Sequence, residues 1–216
     1  MPPRPDPFSI EITPELILRA YCAGIFPMAE DAADKDLFWV SPEMRGIIPL
    51  DGFRLSASLR KAIRKSGFIV KVDTDFGAVI EACATVGEDR DSTWINGTIR
   101  RVYGELFRRG VAHTVEVWDG AELVGGLYGL AIGGAFFGES MFHRRTNASK
   151  MALAHLIERL RAGGFVLLDT QFVTAHLASL GGIEIPRADY EQRLAQALRI
   201  EADWHSWNHI EGRAGT

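Results

Sequence analysis

Cysteine is scarce in this chain, with only Cys22 and Cys83 among 216 residues. Two thiols cannot staple a disulfide scaffold. Both fall in apolar helical patterns, where cysteine is expected to behave as a small buried hydrophobe, and a reducing cytoplasmic setting fits. Histidine is also sparse, and the six present lack paired spacing, so no metal site is expected. No apolar run approaches the ~20 residues that span a bilayer. The longest candidate, 123–137, is broken by Gly125, Gly126, Gly129, Gly133 and Gly134. The opening MPPRPDPF lacks the basic-then-apolar order of a signal peptide, so no membrane partner is expected. There is no G-x-S-x-G nucleophile elbow, and Gly138-Glu139-Ser140 places no base beside its serine. Positive charge is not in excess either. The net charge is −4, which taken alone argues against a nucleic-acid partner.

Apolar residues make up 47% of the chain, enough for a core without staples. The basic residues are clustered: Arg60, Lys61, Arg64 and Lys65, then Arg100, Arg101, Arg108 and Arg109, then Arg144, Arg145 and Lys150. Either a basic face on an acidic protein or ordinary solvated helix faces would give this pattern. Thr13-Pro14-Glu15 opens a first helix that Gly24 ends, and Ser56 opens a second that Gly67 ends. Gly67 is read as the boundary between a small N-terminal domain, 1–66, and a larger domain, 67–216. Beyond it come a strand over 68–73, a short helix from Phe76 and a polar loop, 91–96. An amphipathic helix follows, with Ile99, Val102, Tyr103, Leu106 and Phe107 on one stripe. Asp119-Gly120 joins two strands as a hairpin, and 135–142 is a further strand. Asn147 is expected to cap a helix through Arg161. A strand over 165–169 and helices near 174–180 and 189–199 complete the chain. An antiparallel meander followed by strand, helix and strand predicts a parallel pair closing a mostly antiparallel sheet. The expected class is α+β, in the pattern of GNAT-like acyltransferases.

Two carboxylates interrupt apolar strands. Glu139 breaks AFFGESMF, and Asp169 ends FVLLD. A buried charge without a partner is costly, so each needs a pairing or a role. Simple alternation places Phe137, Glu139 and Met141 on one face, and Asp169 with Gln171 on one face. The link HRRTNASK stands where CoA-using acyltransferases carry a glycine-rich pyrophosphate loop. It has no glycine, and offers Arg144, Arg145, Asn147, Ser149 and Lys150 instead. That argues for an acyl donor other than CoA.

GIFPM, FWVSPEMRGIIPL, TWIN, YGELFRRGVAHTVEVW, LVGGLYGLAIGGAFFGESMF, NASK and DTQFVTAHLASLGGIEIPRADY occur in this order. From about Pro14 to Leu198, the chain resembles the leucyl/phenylalanyl-tRNA–protein transferases. The resemblance implies a small N-terminal domain packed on a GNAT-like domain, with no cofactor. The implied donors are leucyl-, phenylalanyl- and, less often, methionyl-tRNA. The implied acceptors are proteins with N-terminal Arg or Lys, marked in this way for N-end rule degradation. By the same resemblance, Asp169 and Gln171 are the catalytic pair, and Glu139 is a substrate-binding carboxylate. Trp39 and Trp94 lie near the terminal adenosine, while Leu127, Phe136, Met141 and Leu168 wall the amino-acid pocket. Arg60, Lys61, Arg64, Lys65, Arg144 and Lys150 are expected to form the tRNA face. Met28-Ala29 stands where some members carry Trp-Phe, and the final residues, 204–216, match nothing in the family. A CoA-dependent N-acyltransferase and a non-catalytic RNA-binding module are the alternatives.

Overall fold

The computed structural model describes residues 11–34, 36–85 and 93–207. The opening stretch discussed above, part of the loop 91–96 and the last residues of the chain lie outside these ranges. Helix α1 (Pro14–Cys22) begins as expected. Pro14 takes the first turn and the Thr13 hydroxyl accepts from the Leu16 N–H at 3.2 Å. Strands β1 (Phe26–Met28) and β2 (Phe38–Val40) form a small antiparallel ribbon. Then come β3 (Met44–Ile47), α2 (Ala57–Ser66), β4 (Ile69–Val72), α3 (Phe76–Ala84) and α4 (Gly97–Arg108). The remainder is β5 (Ala112–Asp119), β6 (Glu122–Ile132), β7 (Ala135–His143), α5 (Ala148–Ala162), β8 (Leu167–Gln171), α6 (Ala175–Ser179), β9 (Ile183–Pro186) and α7 (Arg187–Ala197).

Among the described residues, seven strands form one sheet in the order β4-β5-β6-β7-β8-β3-β9. Every neighbouring pair is antiparallel except β7 and β8, which the α5 crossover makes parallel. The expected strand–helix–strand closure is therefore present. The sheet does not stop at β8, however. The short strands β3 and β9 continue it, and neither was legible. β3 contains Gly46 and sits between Pro42 and Pro49, and β9 has four residues. Thus β3, which precedes Gly67, is a strand of the larger sheet.

One face of the sheet packs Val115, Val117, Leu127, Phe136 and Leu168 against Leu153, Leu156, Ile157 and Leu160 of α5. The other packs Tyr128, Leu130, Phe137 and Leu167 against α1, α3, α4 and α7. Helix α5 starts very close to the sheet. A Cβ on Gly125 would stand 2.5 Å from the Ala148 Cβ, so only glycine fits there. Two local expectations are corrected. Asn147 does not cap α5 with its side chain; it turns the chain through φ 70°, a left-handed conformation asparagine tolerates. Cys22 is exposed while Cys83 is buried, and neither is in a disulfide. Cys22 is the last residue of α1, where the helix face turns away from the core. Among the described residues, no helix is long and apolar enough to cross a membrane.

Candidate active site

Strands β7 and β8 pair in parallel only through Ala135–Leu167, Phe136–Leu168 and Phe137–Asp169. Both strands run on, β7 to His143 and β8 to Gln171, but apart. A cleft of ≈830 Å³ opens where they separate. Residues from both faces of the sheet line it. Leu127, Met141, Leu153, Leu156, Leu168 and Leu177 make an apolar arm on the α5 side. Cys83, Trp94, Tyr128 and Glu139 make a more polar arm on the other.

The local cause of this arrangement is a β-bulge. Tyr128 pairs with Ser140, and Gly129 pairs with Gly138, so Glu139 is an extra residue on β7. Alternation fails at this point, which corrects the expectation that Phe137, Glu139 and Met141 share a face. Phe137 and Glu139 point to the α1–α4 side, and Met141 points to the α5 side. The Tyr21 hydroxyl donates to Glu139 Oε1 at 2.6 Å and the Tyr103 hydroxyl to Oε2 at 3.2 Å. The two hydroxyls are 2.7 Å apart. Burial pushes the Glu139 carboxyl up to about 8, against the opposing effect of its tyrosine donors. At neutral pH it is therefore mostly protonated, and an incoming cation would draw it to ionise.

Asp169 and Gln171 are brought together, but in unequal positions. Asp169 is 0% exposed and stands behind the cleft wall rather than in it. Arg45 Nε donates to its Oδ1 at 2.9 Å, and Arg45 Nη2 to its Oδ2 at 2.6 Å. The Tyr190 hydroxyl donates to Oδ2 at 2.6 Å, and the Gln171 N–H to Oδ1 at 2.8 Å. Arg45 also donates to the Gly24 carbonyl at 3.0 Å, and lies over the rings of Phe26 and Tyr190. Nothing in the sequence pattern marked Arg45 or Tyr190, because their partner is 124 and 21 residues away. Gln171 itself is held at φ 58°, an uncommon conformation for glutamine. It lines the cleft, and its Nε2 is buried without a partner among the described residues. Polar atoms of Tyr128, Thr170 and His176 share that state, and all three residues line the same cleft. Such clustering of unpaired buried polar atoms is a mark of a binding site.

The other expected residues divide. Leu127, Met141, Leu168, Trp94 and Arg144 line the cleft. Phe136 is outside this lining. It lies where β7 and β8 are still paired and stacks on Trp204, with ring centroids 5.3 Å apart. Trp39 is 38% exposed on β2 and outside the lining, although Pro27, its partner across the ribbon, is part of it. Lys150 follows Ser149 at the start of α5. Arg60, Lys61, Arg64 and Lys65 are exposed on α2, away from the cleft lining. Among the described residues, no group of three or more His, Cys, Asp or Glu could hold a metal ion.

Residues 47–195 match the family model described as leucyl/phenylalanyl-tRNA protein transferase, and residues 10–43 match the model of its N-terminal domain. Similarity to solved structures is looser. FemX aligns with a TM-score of 0.46 and 11% identity, over 82% of this chain and 70% of that one. L-PGS from Bacillus licheniformis aligns with a TM-score of 0.40 and 13% identity, over 76% and 55%. The C-terminal domain of a putative lysylphosphatidylglycerol synthetase from Agrobacterium fabrum aligns with a TM-score of 0.42 and 10% identity, over 92% and 63%. The chain thus spans less than two thirds of the last two.

Proposed function

The chain belongs to the leucyl/phenylalanyl-tRNA protein transferase family of aminoacyltransferases, and from that premise we propose that it moves leucine, phenylalanine or, less often, methionine from tRNA onto proteins beginning with Arg or Lys. The transfer would mark those proteins for N-end rule degradation in the cytoplasm. The observation that carries this reading is the two-armed cleft at the parting of β7 and β8. It joins an apolar arm to a titratable carboxylate across Gln171. The parting parallel strands also support a GNAT-like organisation, with the β1–β2 ribbon and α1 as the small N-terminal part.

The chemistry is an ester-to-amide exchange. The acceptor's neutral α-amine attacks the carbonyl carbon of the aminoacyl ester. A C–N bond forms, the C–O bond to the terminal ribose breaks, and the ribose hydroxyl leaves with the proton the amine gives up. The ester is already activated, so no further energy source is required. The donor's side chain fits the apolar arm, where Met141 adapts to branched, aromatic or thioether groups. Glu139 faces the cationic side chain of the acceptor. Gln171 supports the reacting atoms, its unpaired Nε2 serving as a donor to the developing oxyanion. Asp169, with Arg45 and Tyr190 behind it, holds Gln171 in place. Trp94 offers its ring to the terminal adenine, Trp39 flanks the entrance, and Arg60, Lys61, Arg64, Lys65, Arg144 and Lys150 receive the tRNA backbone.

Transfer of labelled phenylalanine from Phe-tRNA to an Arg-starting protein, compared with a Glu-starting one, tests the proposal. Labelling of the first alone is expected. Labelling of neither, with acetyl-CoA supporting transfer instead, would overturn it.

A further inference from the structure

The start of α5 is a second polar feature of the cleft, remote from Glu139. Ser149, the second residue of this 15-residue helix, is 4% exposed and lines the cleft. Its hydroxyl makes no hydrogen bond among the described residues. The first N–H groups of a helix have no intrahelical carbonyl, and the Asn147 side chain does not cap them. The helix dipole adds partial positive charge at the same end. His176, across the cleft, has a buried Nε2 without a partner. Burial holds its pKa below the usual value, and the charges of Lys150 and His143 lower it further. Arg144 also lines the cleft, its Nη1 donating to the Leu123 carbonyl at 3.0 Å, and the neighbouring Arg145 pairs with Glu122 at 3.0 Å. The one carboxylate in the lining among the described residues, Glu139, belongs to the other arm and is bound to Tyr21 and Tyr103.

We infer that Ser149, the α5 N-terminus and His176, with Arg144 and Lys150, form a subsite for the phosphodiester on the 5′ side of the donor's terminal adenosine. The inference rests on the aminoacyl-tRNA reading above and adds where the donor's last phosphate lies. Its geometry is coherent along one helix. Ser149, Leu153 and Leu156 are spaced by four and three residues, so they share a face of α5. At 1.5 Å per residue, Leu153 lies about 6 Å and Leu156 about 10 Å further along the axis. A phosphate at the first turn and an amino-acid side chain one to two turns on are then joined by the ribose and its ester. The short side chain at Ser149 leaves room for an oxygen atom and supplies a donor to it. Gly125 permits this by letting the helix start press against β6.

The test compares phenylalanyl-adenosine with its 5′-phosphorylated form as minimal donors, using an Arg-starting peptide as acceptor. In the wild type, the Michaelis constant should be about tenfold or more lower for the phosphorylated donor, as expected for charge-assisted hydrogen bonds. The ratio of the two constants should fall toward one in Ser149→Ala and in His176→Ala. It should invert in Ser149→Asp, because a carboxylate would then face the phosphate. Melting temperatures confirm that each variant is folded, and Ser149→Ala serves if Ser149→Asp is not. A wild type that uses both donors equally, or variants that keep the wild-type ratio, would overturn the subsite and leave the transferase reading intact. A wild type that uses neither minimal donor nor Phe-tRNA would remove the transferase reading and this inference together.

Discussion

At the scale of single residues, Asp169 and Glu139 show how one functional group acquires different surroundings. Asp169 is surrounded by donors in the interior: a bidentate arginine, a tyrosine hydroxyl and a backbone N–H. Glu139 has only hydroxyl partners among the described residues and is pushed up to about 8 by burial. From the sequence alone, Asp169→Ala would be expected to leave folding intact. The buried ion pair changes that expectation, because the variant strands the Arg45 guanidinium. Removing one partner of such a pair costs about 3–5 kcal/mol. Asp169→Ala and Arg45→Met should each lower the melting temperature by about ten degrees. The double variant Arg45→Met, Asp169→Leu should lose less than the sum, since no bare charge remains. Additive losses would show that the pair is not coupled. Glu139 gives a pH signature whose sign follows from linkage. Its folded pKa lies above the ordinary 4.5, so between about 4.5 and about 8 the folded protein holds a proton that the unfolded chain has released. Stability should therefore fall as pH rises through that window, by up to a few kcal/mol. Glu139→Gln should flatten the slope in urea titrations at several pH values. The acceptor's Michaelis constant should rise as pH falls below about 8 in the wild type, because the protonated carboxyl no longer attracts a cation.

At the scale of elements, the site depends on a strand that changes course and a helix that presents charge. The bulge at Glu139 turns one side chain toward Tyr21 and Tyr103 while returning Met141 to the apolar arm. Helix α2 is the simplest element to test. Ser56 caps it, Gly67 ends it at φ 73°, and Arg60, Lys61, Arg64 and Lys65 are exposed on it. None of the four has an ion-pair partner among the described residues. If they bind tRNA phosphates, replacing all four by glutamine should weaken Phe-tRNA binding. It should also reduce the slope of log affinity against log salt by roughly 0.7–0.9 for each phosphate no longer neutralised. Fluorescence titrations between low and moderate salt would measure this. An unchanged slope would assign α2 to solvated surface.

At the scale of the whole molecule, the segment after α7 closes the structure on the α5 face. Trp204 is 4% exposed and stacks between Phe136 and His113, with centroids 5.3 and 4.4 Å away. Its indole N–H donates to Asp73 at 2.8 Å, and its carbonyl accepts from Arg159 at 2.8 Å. Asp73 also bonds the His113 ring at 2.8 Å and accepts from the Thr114 N–H at 2.7 Å. One residue near the C-terminus thus links β5, β7 and α5. Trp204→Ala should cost about 3–5 kcal/mol, as for other buried aromatics, and scanning calorimetry would read this as a large fall in melting temperature. Because Trp204 supports Phe136, which lies next to the cleft wall, the donor's Michaelis constant should rise as well. A melting temperature within about one degree of wild type would show that the segment is not structural.

Local patterns in the sequence carried most of the elements. The caps at Thr13 and Ser56, the stripe from Ile99 to Phe107, the Asp119-Gly120 hairpin and the strand–helix–strand closure all arise between residues close in the chain. Their determinants are backbone preference and side-chain period, which a linear reading can detect. The carboxylates Glu139 and Asp169 were also conspicuous, because each interrupts an apolar run. Tertiary structure alone decided what those carboxylates became. The partners Arg45, Tyr190, Tyr21 and Tyr103 are 21 to 124 residues distant, and no spacing rule links them. Strand β3 owes its existence to the edge offered by β8, and β9 to the edge β3 then offers, since a four-residue strand does not form unaided. The burial of Trp204 needs the surface built by β5, β7 and α5, which exists only once the rest of the chain has folded.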